Sequence, residues 1–194
     1  AMFISFEGID GSGKSTQAKR LAQSLTARGI ETVLTREPGG SPGAEEIRRL
    51  LVEGGSERWS PETELLLFTA ARRDHLERLI RPALARGAWV ITDRFADSSR
   101  VYQGAARAEQ RALVDELHRL MIGIDPDLTF VIDIDPEISL GRGQARGGRE
   151  DRGQQPSECW VEHACGDGHA SGVVGEGEPQ GAADVAHGGP RQAT

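Results

Sequence analysis

Gly8-Ile9-Asp10-Gly11-Ser12-Gly13-Lys14-Ser15 is the stretch of this 194-residue sequence that decides its fold. It matches the pattern G-x-x-x-x-G-K-[ST] at every fixed position. Residues 2–7 before it (Met-Phe-Ile-Ser-Phe-Glu) form a short, apolar, β-prone run, and residues 15–28 after it carry small and apolar side chains at helical spacing. This context predicts a strand, a glycine turn and a helix, which is the arrangement of a phosphate-binding P-loop.

The composition of the loop explains how it would hold phosphates. Its three glycines allow backbone N–H groups to point inward, where the helix N-terminus adds a partial positive charge. Lys14 would reach the β- and γ-phosphates of ATP, and the Ser15 hydroxyl would hold Mg²⁺. The residues predicted to bind ATP are Gly8, Ile9, Asp10, Gly11, Ser12, Gly13, Lys14, Ser15 and Thr16.

Length and charge restrict the class of protein. A chain of 194 residues suffices for one α/β domain with a full core. Its net charge of -7 argues against nonspecific nucleic-acid binding, which needs a basic surface. No apolar run approaches the ~20 residues that span a bilayer, and the first strand follows without a signal-like segment. We therefore expect a cytoplasmic protein.

Strand and helix patterns alternate along the chain after the P-loop. Further strands are predicted at 31–35, 89–92 and 128–134, separated by helical patterns at 44–52, from 61 onward, at 75–86 and at 109–121. The helix at 75–86 either continues the preceding one or is kinked near Pro82. This alternation predicts a parallel, doubly wound sheet with helices on both faces and right-handed crossovers.

Arg36 and Arg94 each follow a predicted strand. Ligands of open parallel sheets bind at the carboxyl ends of the strands, so both guanidinium groups would reach one phosphate there. Arginine suits this role because its planar fork grips phosphate bidentately. A solvated arginine or a surface ion pair is the alternative for either residue. Asp93, at the end of the same strand as Arg94, is predicted to bind the Mg²⁺ shell through water.

The composition changes sharply at Gly153. From there to Thr194 the chain has no Leu, Ile, Met, Phe, Tyr or Lys, which predicts a mostly disordered tail. Cys159, His163, Cys165 and His169 superficially suggest zinc, but their spacing is too short and irregular for the usual paired-ligand pattern. A shifted reading frame or an altered terminus would produce such a break.

Several motifs, in this order, resemble those of the thymidylate kinase family over about residues 2–152. They are residues 6–16 around the P-loop, Thr35-Arg36-Glu37-Pro38-Gly39-Gly40, Leu67-Phe68 with Arg72, Asp93-Arg94-Phe95 with Ser98 and Tyr102-Gln103-Gly104, and Asp127-Leu128-Thr129. The resemblance implies a kinase domain at 1–152 that transfers the γ-phosphoryl group of ATP to dTMP with Mg²⁺, and a homodimer. The family ends with a further helix, a fifth strand and a closing helix, which we expect this chain to lack, leaving it marginally stable and aggregation-prone.

The resemblance also implies roles for individual residues. Arg94 and Arg36 would contact the acceptor phosphate, and Asp10 the acceptor sugar's 3′-hydroxyl, although Asp10 could instead form an ion pair that shapes the loop. Glu37 would join the Mg²⁺ shell with Ser15 and Asp93. The residues implied for the base and sugar pocket are Pro38, Phe68, Arg72, Ser98, Tyr102 and Gln103, of which Phe68 would stack on thymine or, alternatively, belong to the core.

An arginine-rich segment at about 141–152 resembles the family's lid. Some family members carry a catalytic arginine within the P-loop, at the position that Gly11 occupies here. Family members without an arginine at this P-loop position carry catalytic arginines in the lid. The resemblance therefore implies that Arg146, helped by Arg142 or Arg149, would close over the transferring group. A solvated basic helix end is the alternative. Other functions left open are a kinase for another nucleoside monophosphate or a deoxynucleoside, and a nucleotide-binding chain that its altered C-terminus makes inactive.

Overall fold

The computed structural model describes residues 1–53, 58–104, 108–135, 138 and 170–175. Five strands form one parallel sheet: β1 (Met2–Glu7), β2 (Thr32–Arg36), β3 (Trp89–Asp93), β4 (Leu128–Asp133) and β5 (Ala170–Gly175). Their order across the sheet is β2-β3-β1-β4-β5. The prediction of a parallel α/β fold is confirmed.

Six α-helices and two π-helical turns lie within the described part of the chain. The helices are α1 (Lys14–Ala27), α2 (Pro42–Val52), α3 (Pro61–His75), α4 (Arg81–Ala85), α5 (Ala96–Tyr102) and α6 (Ala108–Leu117). The π-helical turns are Leu76–Ile80, which joins α3 to α4, and His118–Ile122, which continues α6. The helix pattern at 75–86 thus continues the preceding helix and widens just before Pro82, a residue that cannot donate an N–H to an α-helical bond.

The central strands bury both of their faces. In β1, Phe3 faces one core with Leu76 and Ile80, whereas Ile4 faces a second core against α1. The alternation follows from the two-residue period of a strand, and both sides are apolar because helices cover both faces. This places the carboxyl end of β1, where the P-loop begins, at the middle of the sheet.

The fifth strand corrects the expectation that the sheet lacks one. Residues 170–175 pair in parallel with β4, with Leu128 opposite Ala170 and Asp133 opposite Gly175. The weak apolar periodicity of the tail predicts no strand there, but a parallel ladder is made by backbone N–H and C=O groups, which every residue type except proline provides. The rest of the predicted tail lies outside the described residues.

Candidate active site

The P-loop adopts the predicted strand, turn and helix. Gly8, Gly11 and Gly13 all have positive φ values, of 133°, 81° and 97°, and α1 begins immediately afterwards at Lys14. At Gly8 a Cβ atom would lie 2.5 Å from the carbonyl oxygen of Ile132 in β4. Glycine is required there both for the backbone conformation and for this close approach.

Lys14 is buried beneath the loop. Its Nζ donates a hydrogen bond of 2.7 Å to the carbonyl oxygen of Ile9 and lies 3.8 Å from Oδ1 of Asp10. Burial, together with the positive charge of Arg94, lowers the pKa of Lys14 to about 8, against the opposing effect of Asp93, Asp10 and Glu7. The ammonium group therefore lies where a phosphate would restore its charge.

Ser15 and Asp93 provide the oxygen atoms that Mg²⁺ would need. The Ser15 hydroxyl donates to Oδ2 of Asp93, and the other carboxylate oxygen of Asp93 is buried with no hydrogen-bond partner in the part of the chain that the structure describes. A buried carboxylate oxygen without a partner, beside a hydroxyl, fits a hard cation that keeps waters and phosphates as its other ligands. The described residues contain no cluster of three or more acidic, His or Cys side chains that could hold a metal by themselves.

Arg94 connects the P-loop to the end of β3. Its backbone has a positive φ of 73°, and its N–H donates to the carbonyl oxygen of Phe6. The guanidinium donates to Oδ1 of Asp10 and to Ser98 Oγ at 3.0 Å, and it lies 5.2 Å from the Tyr102 ring. Burial opposes the charge, but interactions with Tyr102, Asp10 and Glu7 outweigh it and raise the pKa of Arg94.

Asp10 forms two ion pairs at the P-loop, and its contact with the acceptor sugar stays a prediction. It contacts both Lys14 and Arg94, so one carboxylate of the P-loop holds a cation from each half of the predicted site. A side chain at a strand end is thereby drawn to the phosphate-binding turn.

Glu7 is a buried carboxylate beside the site that the sequence analysis did not single out. It is fully buried, accepts a hydrogen bond of 2.7 Å from the N–H of Phe95, and accepts one of 2.6 Å from the Ser98 hydroxyl. Burial and the negative charge of Asp97 raise the pKa of Glu7 to about 7. The available signal was a lone carboxylate ending an otherwise apolar strand at the centre of the sheet.

Glu37, predicted to join the Mg²⁺ shell, lies in a buried cluster with Arg72 and His75. One carboxylate oxygen accepts from Arg72 Nε at 2.6 Å and the other lies 3.0 Å from His75 Nδ1. Burial alone would raise the pKa of Glu37, but Arg72 and His75 together hold it below its ordinary value. Both carboxylate oxygens thus contact side chains of α3, and a place for Glu37 in the Mg²⁺ shell stays a prediction.

The other predicted acceptor-site residues surround the same end of the sheet. Arg72 is buried, with Nη2 3.0 Å from the carbonyl oxygen of Phe95, and Phe68 lies one helical turn before it in α3, only partly buried. Gln103 donates to Glu64 at 3.2 Å. The carbonyl oxygen of Pro38 accepts from Arg48 at 2.9 Å.

Arg36 lies at the predicted edge but faces outward. It is opposite Asp93 in the register of β2 and β3, yet its exposed guanidinium donates to Glu45 at 3.2 Å. It thus forms a surface ion pair with Glu45, and its contact with the acceptor phosphate stays a prediction. The lid arginines Arg142, Arg146 and Arg149 and the Cys and His residues at 159–169 lie outside the described residues.

The fold and the site together define a P-loop nucleotide kinase. The loop would hold the phosphate donor. On the other side of Asp10, the buried guanidinium of Arg94 would bind a second phosphate. A model of the family described as thymidylate kinase matches residues 6–160. The chain belongs to the thymidylate kinase family.

Individual relatives agree with the family match. The thymidylate kinase of Dinoroseobacter shibae is 76% identical over 149 residues, which cover 77% of this chain and 72% of the relative. The thymidylate kinase of Ruegeria pomeroyi is 67% identical over 151 residues, which cover 78% of this chain and 72% of that relative. The crystal structure of thymidylate kinase from Ehrlichia chaffeensis superposes with a TM-score of 0.73 at 38% identity, covering 89% of this chain and 91% of that one.

Proposed function

We propose that this chain transfers the γ-phosphoryl group of ATP to dTMP, giving ADP and dTDP. The observation that carries the proposal is the pair of contacts made by Asp10, which join Lys14 of the P-loop to Arg94 at the end of β3. Two cations for two polyanionic nucleotides are thereby held at one carboxylate. The name shared by the relatives supplies the acceptor, dTMP.

The chemistry needs little covalent participation by the protein. A phosphate oxygen of dTMP forms the new bond to the γ-phosphorus as the bond to the β-phosphate oxygen breaks, and both must lie in line. The loop N–H groups and Lys14 orient the donor, while Arg94 orients the acceptor phosphate. Ser15 and Asp93 would hold Mg²⁺, which when bound neutralises charge on the phosphates.

The remaining roles follow the family resemblance. Phe68 would stack on the base and Arg72 would hydrogen-bond a base carbonyl. The residues that would complete the base and sugar pocket are Pro38, Ser98, Tyr102 and Gln103. Arg146, helped by Arg142 or Arg149, would cover the transferring group. Replacing Arg146 by alanine should lower kcat far more than it raises the KM for dTMP, and an unchanged kcat would exclude it from the mechanism.

We also propose a homodimer. Large apolar side chains are exposed on neighbouring segments that pack together: Leu50 and Val52 on α2, Leu66 on α3, and Leu120 and Met121 on the second π-helical turn. Clustered exposed apolar surface is typical of an interface. Sedimentation of the protein and of L66E would show a dimer and a monomer, respectively. None of the described helices is long and apolar enough to cross a membrane; a cytoplasmic location stays a prediction.

A coupled assay of ADP release tests the function. Under matched conditions dTMP should give the highest kcat/KM among dTMP, dUMP, UMP and CMP, and Lys14→Met should abolish the signal. A preference for UMP or CMP would assign the chain to another monophosphate acceptor. ADP release with none of them would contradict a kinase function.

A further inference from the structure

Glu7 connects β1, the strand that precedes the P-loop, to the turn that contains Arg94. Its two carboxylate oxygens accept from the Phe95 N–H and from the Ser98 hydroxyl, and Ser98 Oγ in turn accepts from Arg94 Nη1 at 3.0 Å. Glu7 has no exposed surface, so water does not compete for these bonds. A hydrogen-bonded chain therefore runs from β1 through Ser98 to Arg94.

We infer that Glu7 is a positioning residue for the acceptor phosphate: acting through the Ser98 hydroxyl, it orients the Arg94 guanidinium. The inference rests on the proposed function, in which Arg94 binds the phosphate of dTMP. Glu7 also holds the backbone of the turn through the Phe95 N–H, so it fixes both the side chain and the main chain next to Arg94.

The direction of the hydrogen bonds supplies the mechanism. An ionised carboxylate only accepts, so the Ser98 hydroxyl must donate to Glu7 and keeps its lone pairs for Arg94. A glutamine at position 7 offers one acceptor oxygen for two donors. If it keeps the Phe95 N–H, its amide nitrogen faces Ser98 and donates to Oγ. The Ser98 hydroxyl then loses the acceptor that fixed its hydrogen, so its lone pairs are no longer held towards Arg94.

The charges around Glu7 make this role demanding. Arg94 favours the ionised form, whereas Asp97 opposes it from the first turn of α5. Glu7 in turn interacts with Lys14 on the P-loop side and with Tyr102 on α5. Burying an ionised carboxylate in this position costs free energy, which is offset only when both of its oxygens accept hydrogen bonds.

Binding of dTMP and thymidine to Glu7→Gln separates positioning from general structural support. The dissociation constant of thymidine divided by that of dTMP, both measured at pH 8, isolates the contribution of the phosphate, because thymidine lacks it. We expect E7Q to reduce this ratio about tenfold, the scale of one hydrogen bond to a charged group. Thymidine affinity should stay within about twofold of wild type. Ser98→Ala should act in the same direction, and the double variant should lose little more.

Asp127→Asn is the matched control. Asp127 accepts the Phe3 N–H at 2.7 Å near the other end of β1, so it changes a comparable bond away from the site. Its phosphate ratio should equal that of wild type. Equal loss of dTMP and thymidine affinity in E7Q, an unchanged ratio, or a wild-type ratio of one would each overturn the inference. A wild-type protein that retains the ratio but releases no ADP with dTMP would contradict the proposed function alone.

Discussion

Lys14 has to carry a charge in a place that disfavours one. Its Nζ is buried beside Arg94, and its pKa is lowered to about 8. In the nucleotide-free protein the ammonium therefore loses its proton as the pH rises through about 8. A neutral amine attracts phosphate far less than an ammonium does.

We expect ATP affinity to fall about tenfold between pH 7 and pH 9, following the charged fraction of Lys14. The change can be measured by titration calorimetry in matched buffers. Lys14→Arg keeps its charge over this range and serves as the control. A parallel fall in both proteins would assign the pH dependence to another group.

Glu7 makes the stability of the folded protein depend on pH, because its pKa is raised where that of Lys14 is lowered. Its pKa is raised from an ordinary value of 4.5 to about 7 in the folded protein, so between these values the folded protein binds more protons than the unfolded one. Stability therefore falls as the pH rises from 5 to 8, by on the order of 3 kcal/mol from this group. Urea unfolding of wild type and E7Q at pH 5 and pH 8 should show that the free energy of unfolding falls less in E7Q. Equal losses would contradict the raised pKa.

Gly8 differs from Gly87, another glycine of positive φ, in what surrounds it. A methyl group there would meet a backbone oxygen at 2.5 Å, whereas at Gly87, with φ of 89°, nothing lies within 4 Å. Gly87→Ala should cost about 1–2 kcal/mol in unfolding free energy for its backbone conformation. Gly8→Ala should cost at least about 2 kcal/mol more, because the β4 backbone cannot move aside. Similar urea midpoints would argue against this close approach.

At the scale of elements, Glu37 fastens the loop after β2 to α3. Arg72 and His75 approach it from successive turns of α3, and His75 Nε2 also lies 2.8 Å from Thr35 Oγ1 on β2. The side chains of Glu37, Arg72 and His75 are all buried. Removing one partner leaves the other charge without compensation, which is costlier than the pair itself is stabilising.

Glu37→Gln should lower the unfolding free energy by about 3 kcal/mol or more. Glu31→Gln, which breaks an exposed ion pair with Arg86, should change it by less than about 1 kcal/mol. The Mg²⁺ concentration that gives half-maximal kinase activity should be the same in wild type and E37Q. A large increase in that concentration would instead support the predicted place of Glu37 in the metal shell.

At the scale of the whole molecule, β5 extends the sheet beyond the P-loop half of the chain. Among the described strands it lies at the edge and pairs only with β4. In such a strand alternate N–H groups face the neighbour and the others face away.

Proline therefore tests the pairing at two adjacent positions. One of Val173→Pro and Val174→Pro should remove a hydrogen bond to β4 and cost about 2 kcal/mol or more, whereas the other should cost clearly less. Urea melts of both variants against wild type measure the difference. Equal small effects would mean that the tail contributes no strand, as its composition suggests.

The sequence by itself determined the P-loop, the parallel alternation of strands and helices, and the positions of Arg94 and Asp93 at a strand end. These are local properties: glycine spacing, hydrophobic period and chain direction act over a few residues, and motif order made the family apparent. Even the wrong prediction of a missing strand rested on a correct description of the tail's composition.

Only the tertiary structure decided which partners those residues have. Glu7 lies 91 residues from Ser98, Glu37 lies 35 from Arg72, and β5 meets β4 about 40 residues away. The role of a buried carboxylate depends on which donors surround it, because desolvation makes each unmatched bond costly, and those donors come from distant segments. A strand held by backbone hydrogen bonds likewise needs its neighbour more than an apolar pattern of its own.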